Sequence, residues 1–469
     1  MRAPFMKAAP DLPRLCLSLL LFLAASSQAV ANSDPTRPNV VFFLADDLGY
    51  GDLGFTGSTL AETPHLDAFA RDNLFFTDAY AASPHCSPTR ASIVTGQYPG
   101  RQHLTVWIGG KKTTEYKGLQ LPEEKRFLGR DSFTIAQYFK SRGYTTAQVG
   151  KWHLGGKRVP IQDHGFDAVH GYSPGAGPGP PPTWYAPYTS IADINDGPEG
   201  EYITDRLTDE AIGFIQAHQD KPFFLLLQHY AVHVPLTAPE EVVQKYVDRG
   251  RPRDTGKENA TFLAMKERMD DSFGRILAAL DEMGLADNTI VIFFSDNGGV
   301  TYFANNGELR AGKKFLYEGG TRVPLAIRVP GLTPTNASTA VPVNSIDFFP
   351  TLVDLTGGDV ESLPTTLDGI SLRPVLQGSG TLDRDALYWH MPQVGKDWAI
   401  IPPQGAVRAG KWKFIHHYGD TKPDELYNLE DDIGEKRNLA RRHPERVAQM
   451  RAMLERHIDE TGAQRVVQK

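Results

Sequence analysis

Short apolar runs alternate along much of the chain with stretches whose apolar residues recur at helical spacing. Apolar runs bounded by turn residues predict buried strands, and the amphipathic stretches between them are typical of crossover helices. Pro64, after Thr63, opens one such helix, whose apolar face would be Leu66, Phe69, Ala70 and Leu74. A longer predicted helix ends at Gly284. The alternation predicts an α/β fold with a large mixed, mostly parallel sheet flanked by helices. The predicted strands span residues 39–44, 145–149, 223–227, 289–294 and 324–329.

Beyond about residue 368 the pattern changes to short strands, at 406–407 and 411–415, followed by a terminal helix. This change predicts a smaller C-terminal α+β domain with an antiparallel sheet. We therefore expect a large N-terminal domain over residues 32–370 and the smaller one over 371–469. The apolar face of the terminal helix is formed by Val447, Met450, Leu454 and Ile458.

The first 31 residues have the order of a secretory signal: basic residues, an apolar run over 15–25, and small residues before a cut after Ala31. The apolar run is too short for a membrane span, and nothing later in the chain is long and apolar enough. We expect an exported protein, either periplasmic in a bacterium or secreted.

The net charge and the cysteine content argue against two further features, nucleic-acid binding and an internal disulfide. The formal net charge is −7, and an acidic chain without a basic tail is a poor partner for nucleic acid. The two cysteines are Cys16, inside the predicted signal, and Cys86. The processed chain would keep one cysteine and could form no internal disulfide.

Cys86 stands where a helix is expected to start. Pro88 suits a first helical position, and Arg90 lies one turn further on. Backbone N–H groups at a helix start favour an anion, so an anionic group is expected beside residue 86.

Polar residues follow the predicted strands at their carboxyl ends, where ligands bind in open α/β sheets. Asp46 and Asp47 follow the first strand, and Asp296 and Asn297 follow the strand at 289–294. Each aspartate alone could simply cap a helix. Together they form a hard oxygen-donor set that suits Ca²⁺, with Mg²⁺ as an alternative.

Candidate cationic and acid–base groups stand in similar places. Lys151 and His153 follow the strand at 145–149, His233 follows the strand at 223–227, and Lys313 lies in a basic segment before the last strand. Each alone is more often an ordinary surface or hydrogen-bonding residue. Their shared position at the expected edge favours binding of an anion.

Taken together, these motifs resemble the formylglycine-dependent sulfatases, including arylsulfatases, of the alkaline phosphatase superfamily. The resemblance covers nearly all of the chain after the predicted signal, and the motifs occur in the family's order. They are Cys86-Ser87-Pro88-Thr89-Arg90, Gly150-Lys151-Trp152-His153-Leu154-Gly155, Asp46-Asp47 with Gly49, Ser295-Asp296-Asn297-Gly298, and Glu318-Gly319-Gly320 with Arg322-Val323-Pro324, joined in the C-terminal domain by Val407-Arg408, Lys411-Trp412-Lys413 and Glu425-Leu426-Tyr427-Asn428-Leu429.

The resemblance implies a sulfuric ester hydrolase in which Cys86 is oxidised to Cα-formylglycine by a maturation enzyme. It implies metal ligation, usually of Ca²⁺, by residue 86 together with the four strand-end residues described above. Arg90 would hold the formylglycine, and His153 would hydrogen-bond its hydrate. Lys151, His233 and Lys313 would bind the sulfate and assist the leaving group. The hydrate would attack sulfur, and its second hydroxyl would then lose a proton so that sulfate is expelled and the aldehyde is restored.

Three other functions stay open at this point. A phosphate or phosphonate ester hydrolase of the same superfamily needs nearly the same charges. An unmodified thiol enzyme would use a thiolate at the helix start. A non-catalytic polysaccharide-binding protein could keep the fold without the chemistry.

The substrate is less constrained than the reaction. A sulfated glycan or an aryl sulfate would suit an exported acidic enzyme, and His103 is a candidate substrate contact. The Gly- and Pro-rich stretch at 173–182, followed by Trp184, Tyr185 and Tyr188, is either an exposed connector or an aromatic wall over the pocket.

Overall fold

The structure is a computed structural model that describes residues 37–110, 113–156, 158–173, 175–178, 184–194, 197–378, 380–394 and 400–469. The predicted signal, Cys16 and part of the Gly- and Pro-rich stretch lie outside these residues. Among the described residues, no helix combines the length and apolar character that crossing a bilayer requires.

The described residues form β-strands and α-helices, and each kind of element is numbered in chain order. The strands are β1 (Asn39–Ala45), β2 (Leu74–Phe76), β3 (Ala79–Tyr80), β4 (Glu115–Tyr116), β5 (Leu119–Gln120), β6 (Thr145–Gly150), β7 (Ala168–His170), β8 (Phe223–Gln228), β9 (Thr289–Ser295), β10 (Leu325–Arg328), β11 (Ala337–Thr339), β12 (Val343–Asn344), β13 (Leu387–Met391), β14 (Gln404–Ala409), β15 (Trp412–His417), β16 (Glu425–Asn428) and β17 (Val467–Gln468). The α-helices are α1 (Pro64–Asp72), α2 (Cys86–Thr95), α3 (Pro99–Gln102), α4 (Ile135–Ser141), α5 (Ile203–Ala217), α6 (Glu240–Asp248), α7 (Ala260–Glu282), α8 (Glu318–Thr321), α9 (Phe348–Leu355), α10 (Arg373–Leu376) and α11 (Pro444–Thr461).

The main sheet has eight strands in the order β11-β2-β10-β9-β1-β8-β6-β7. Strands β9, β1, β8, β6 and β7 run parallel, whereas β10 is antiparallel to both β9 and β2. Every residue of β1 is buried, as expected for a central strand that is covered on both faces. The predicted mixed, mostly parallel sheet is confirmed.

Helices cover both faces of this sheet, and β1 shows how the faces are divided. Val41 and Phe43 join a core built with α1, α5, α6 and α7. Phe42 and Leu44 point to the other face, where α2, α4 and α9 supply the packing. Alternate residues of a strand point to opposite faces, so one apolar run serves two cores.

The C-terminal part contains an antiparallel sheet in the order β13-β14-β15-β16. Helix α11 packs on one face of it through Met450, Leu454 and Ile458. The predicted α+β character is thus confirmed, while the domain boundary between residues 370 and 371 stays a prediction.

Two local predictions near α1 and α2 were wrong. Leu74 does not continue the apolar face of α1, because the helix ends at Asp72 and Leu74 pairs with Ile327 in β2. Helix α2 starts at Cys86 and not at Pro88. Pro88 still lies within the first turn, where its missing N–H leaves no helical hydrogen bond unmade.

Candidate active site

The acidic residues meet because their strands are neighbours in register. Ala45 pairs with Ser295 at the parallel ends of β1 and β9, so the residues that follow these strands leave the sheet side by side. The backbone N–H of Asp47 donates to Oδ1 of Asp296 at 3.1 Å. Asn297 Nδ2 donates to Oδ1 of Asp47 at 2.8 Å. All of these side chains are buried.

Two lysines bring positive charge to the acidic cluster. Strand β6 leads directly to Lys151, whose Nζ lies 2.5 Å from Oδ2 of Asp46. Lys313 comes from the loop before α8, and its Nζ lies 2.6 Å from the carboxylate of Asp47. Both lysines are buried, so their charges act in a medium that screens them weakly.

Arg90, a buried residue of α2, forms hydrogen bonds to several residues of the cluster. Its Nε donates to Oδ2 of Asp296 at 2.9 Å, and its Nη1 donates to the carbonyl of Lys151 at 2.8 Å and to Oε1 of Gln228 at 3.1 Å. Burial, reinforced by the nearby Asp46, raises the pKa of Asp296 to about 6 despite this arginine. Arg90 therefore ties three strand ends together.

Cys86 is the first residue of α2, and it is 1% exposed. Its Sγ lies 3.9 Å from Oδ1 of Asp47. Burial raises the pKa of the Cys86 thiol to about 12, so the unmodified side chain is a neutral thiol and not a ready nucleophile. The N–H groups of the first turn of α2 still favour an anion at this end.

His233 completes the surroundings of Asp47. Its Nε2 lies 3.6 Å from Oδ2 of Asp47, and its Nδ1 contacts the carbonyl of Val234 at 2.7 Å. Burial, with Lys313 nearby, lowers the pKa of His233 to about 3. Burial alone would raise the pKa of Asp47, but Lys313, His233 and Lys151 together hold it well below its usual value.

His153 approaches residue 86 from the loop after β6. Its Nε2 contacts the carbonyl of Ile108 at 2.7 Å, while Nδ1 is buried without a hydrogen-bond partner among the described residues. Both His153 and Asp47 have a positive φ, of 54° and 61°. Such strained backbone conformations of non-glycine residues persist where the surrounding structure enforces them, and they cluster at functional sites.

The donor set fits a hard divalent cation. Oδ1 of Asp46 and Oδ1 of Asn297 are buried and have no hydrogen-bond partner among the described residues, an unfavourable state unless something else satisfies them. Asp46, Asp47, Cys86 and His233 each offer a ligand atom, and these atoms lie within 4.8 Å of one another. Two of these four residues are carboxylates, and Oδ1 of Asn297 offers a further oxygen; oxygen donors suit Ca²⁺ or Mg²⁺.

These groups open into one cavity of about 500 Å³. We call the buried polar residues of its lining the inner end, and its apolar residues, which include the exposed Val234 and Tyr302, the outer part. The inner residues are Asp47, Cys86, His153, His233, Lys313 and Lys314.

His103 and the aromatic residues after the Gly- and Pro-rich stretch do not reach this cavity as expected, although Ala176 of that stretch lines it. His103 Nε2 contacts the carbonyl of Gly462 at 3.0 Å, and its side chain lines a different cavity. Trp184 and Tyr188 are buried, and Trp184 stacks on Tyr202 at 6.1 Å, so they belong to the core and form no wall over the pocket.

Sequence reasoning missed the aromatic residues that do line the cavity. Trp107, Tyr302 and Phe303 lie in loops, where no periodicity marks them. For Trp107, the available signal was that a tryptophan closely follows the helix that starts at Cys86.

Comparison with known families agrees with this geometry. The family model described as Sulfatase matches residues 38–358, and a second, described as N-sulphoglucosamine sulphohydrolase, C-terminal, matches residues 308–464. The chain belongs to the sulfatase family. It is accordingly a sulfuric ester hydrolase, with the alkaline-phosphatase-like fold of such enzymes.

Individual relatives cover most of this sulfatase. It is 31% identical to a sulfatase of Formosa agariphila, over 90% of this chain and 88% of the relative. It is also 31% identical to arylsulfatase A of Homo sapiens, over 90% and 86% of the two chains. Among solved structures, Ps i-CgsB in complex with k-i-k-neocarrahexaose is similar with a TM-score of 0.78 and 29% identity, over 90% and 93% of the chains.

Proposed function

We propose that this sulfatase uses residue 86, converted from cysteine to Cα-formylglycine, as its nucleophile. The observation that carries the proposal is the place of Cys86 at the inner end of the cavity, 3.9 Å from Asp47. His153, His233 and Lys313 line the same inner end. A buried neutral thiol has no evident use there, whereas an aldehyde hydrate would offer two hydroxyl groups to the same neighbours.

The sulfate group would bind where the positive charges are concentrated. Lys313 and the first turn of α2 face the inner end of the cavity, with Lys151 behind the Asp46 carboxylate. These groups offset the negative charge of the ester and of the transition state. Arg90 would act through Asp296 and the strand ends, as a residue that positions the site.

In the chemical step, one hydroxyl of the hydrate loses its proton to solvent, and its oxygen forms a bond to sulfur while the ester S–O bond breaks. Lys313 would give a proton to the departing alcohol oxygen, or His233 would do so once the negative charge of the bound sulfate has raised its lowered pKa and protonated it. The remaining hydroxyl would then lose its proton to His153, whose Nδ1 has no hydrogen-bond partner among the described residues. The C–O bond to sulfate breaks, the aldehyde re-forms, and water hydrates it again.

A divalent cation, Ca²⁺ or alternatively Mg²⁺, would be held by Asp46, Asp47, Asp296, Asn297 and residue 86. When bound, it supplies positive charge that favours a deprotonated hydroxyl beside the sulfate. Oδ1 of Asp46 and Oδ1 of Asn297, which accept no hydrogen bond from the described residues, support this assignment.

We also propose that the enzyme is exported to the periplasm, or secreted, after the signal at 1–31 is removed. Its substrate would be a sulfated carbohydrate or an aryl sulfate. The carbohydrate complex of Ps i-CgsB and the similarity to arylsulfatase A support these two classes.

The test combines a mass measurement with a substrate comparison. The chain is produced with and without a formylglycine-generating enzyme, and the tryptic peptide spanning residues 72–90 is weighed. We expect sulfate-ester turnover to rise in proportion to the aldehyde fraction. Phosphate and phosphonate esters of the same alcohol should react far more slowly. Turnover that is independent of the aldehyde, or faster with the phosphorus esters, would contradict the proposal.

A further inference from the structure

The outer part of the cavity differs sharply in chemistry from its inner end. It is formed by Trp107, Ala176, Val234, Val300, Tyr302 and Phe303, of which Val300 and Phe303 are themselves buried. Val234 is 40% exposed and Tyr302 is 62% exposed, two of the few large apolar side chains exposed in the described part of the chain. Exposed apolar groups gathered at the mouth of one cavity indicate a binding surface.

Trp107 is held in place by the catalytic elements themselves. The N–H of the next residue, Ile108, donates to Oγ of Ser87 at 3.0 Å, and its carbonyl contacts Nε2 of His153 at 2.7 Å. The Trp107 ring also lies against Gly109, where a Cβ would approach a ring carbon to 2.9 Å and φ is +115°. The backbone beside Trp107 is thereby fixed relative to Ser87 and His153.

A second part of this apolar lining is equally well supported. Phe303 packs on Phe262 of α7, with ring centroids 5.1 Å apart, and its carbonyl accepts from the N–H of Glu258 at 2.7 Å. Tyr302 meets Phe303 edge to face and projects outward. A rigid aromatic anchor therefore carries the exposed tyrosine ring.

The described residues of the outer part carry no charged side chain. Among the described lining residues, the ionisable groups are those of the inner end and the Tyr302 phenol. A carboxylate or second sulfate on the substrate ring would face apolar side chains without a counter-charge, which is unfavourable. A ring with an apolar face would instead be covered on its flat sides.

We propose that the alcohol part of the substrate is a flat ring that carries no charge of its own and binds between Trp107 and Tyr302. This inference rests on the proposed function, because it places the sulfate at the inner end. Aryl rings and the apolar face of a neutral pyranose share this chemistry.

Two substrate pairs test the inference with the metal-loaded, matured enzyme. The first pair is 4-carboxyphenyl sulfate and its methyl ester, which differ by one charge. The second is a neutral monosaccharide monosulfate and the same sugar with two sulfates. We expect the neutral member to have a lower KM, by about tenfold or more. A preference within the first pair alone points to aryl sulfates, and within the second alone to sugars.

Variants at the mouth supply a second readout. Trp107→Ala and Tyr302→Ala should raise KM for the neutral substrate about tenfold, whereas Trp107→Phe and Tyr302→Phe should restore much of the loss. Inhibition by inorganic sulfate, which occupies the inner end alone, should stay unchanged in all four variants.

Equal or better binding of the charged members would overturn the inference. If no sulfate ester reacts, the proposed function fails instead. The inference can then still be decided by calorimetric binding of 4-carboxyphenyl sulfate and its methyl ester.

Discussion

Nζ of Lys266 lies 3.1 Å from Oδ1 of Asp52, and both side chains are fully buried. Asp52 also accepts the N–H of Gly49 at 2.7 Å and the N–H of Asn305 at 3.0 Å. One carboxylate thus joins helix α7 to the loop after β1 and to the loop that carries Phe303. Asp52 therefore connects the loop that follows the first strand, beside the acidic cluster, to the loop that carries the aromatic residues of the cavity. Neither Asp52 nor Lys266 lines the cavity.

Removing the Lys266 charge should therefore lower the free energy of unfolding much more than removing an exposed charge does. Lys266→Met leaves Asp52 buried without its cation, and we expect a loss of about 3–5 kcal/mol in the free energy of unfolding. Urea unfolding measures it. Arg71→Met is the matched control, since it breaks an exposed ion pair with Asp72 and should cost at most about 1 kcal/mol. Equal stability of the two variants would refute this role.

The metal site makes a prediction that does not depend on activity. Ca²⁺ binds the folded chain and should raise its melting temperature in proportion to the logarithm of the Ca²⁺ concentration. Asp46→Asn should abolish most of this rise, because it weakens an oxygen donor of the site. Asp281→Asn changes an exposed aspartate on α7 and should keep the full rise. A Ca²⁺ response that survives in Asp46→Asn would argue against the assignment.

His164 makes the fold sensitive to acid. It is buried beside Trp152, at a centroid distance of 5.6 Å, and neither ring nitrogen has a hydrogen-bond partner among the described residues. Burial lowers the pKa of His164 from 6.5 to about 4. The unfolded chain therefore binds the proton first, and about 2 kcal/mol of stability is lost as the pH falls from 8 to 5.

The variant His164→Phe should lose that part of the pH dependence. Urea unfolding of wild type and variant at pH 8 and pH 5 measures the difference, and the variant should gain relative to wild type at pH 5. His65→Phe controls for adding an apolar ring at an exposed histidine. If His164→Phe keeps the wild-type difference between the two pH values, the acid sensitivity has another origin.

The sequence predicted the parts of the site that a parallel sheet dictates. Asp46 and Asp296 follow strands whose apolar runs are unmistakable, and parallel strands bring their carboxyl ends to one edge. The convergence of these residues was therefore predictable without knowing the strand order. Their individual catalytic and metal-binding roles stay predictions.

The mouth of the cavity could not be predicted in the same way. Trp107 is placed by hydrogen bonds from its neighbour to Ser87 and His153, and such long-range loop contacts leave no periodic signal. His103, which looked well placed, contacts the carbonyl of Gly462 from the distant end of the chain. Loop residues take their positions from tertiary contacts, whereas strand ends inherit theirs from the sheet.

Replacing Cys86 by serine should separate the attack on sulfur from the later expulsion of sulfate. In Cys86→Ser, the serine hydroxyl could still attack sulfur and release the alcohol, with the same proton from His233 or Lys313. The sulfated serine has no second hydroxyl, so it cannot expel sulfate by collapsing to an aldehyde. We expect release of about one equivalent of alcohol per site, followed by a stall, and intact mass should show sulfate retained on the chain.

Cys86→Ala is the matched control, because it starts α2 with a residue of similar size and has no nucleophile. It should release no alcohol beyond background. Sustained turnover by a pure, metal-loaded Cys86→Ser enzyme at the wild-type rate would show that the second hydroxyl is not needed. Wild-type chain made without the maturation enzyme should fold with the same unfolding midpoint yet stay largely inactive, because its buried thiol is neutral.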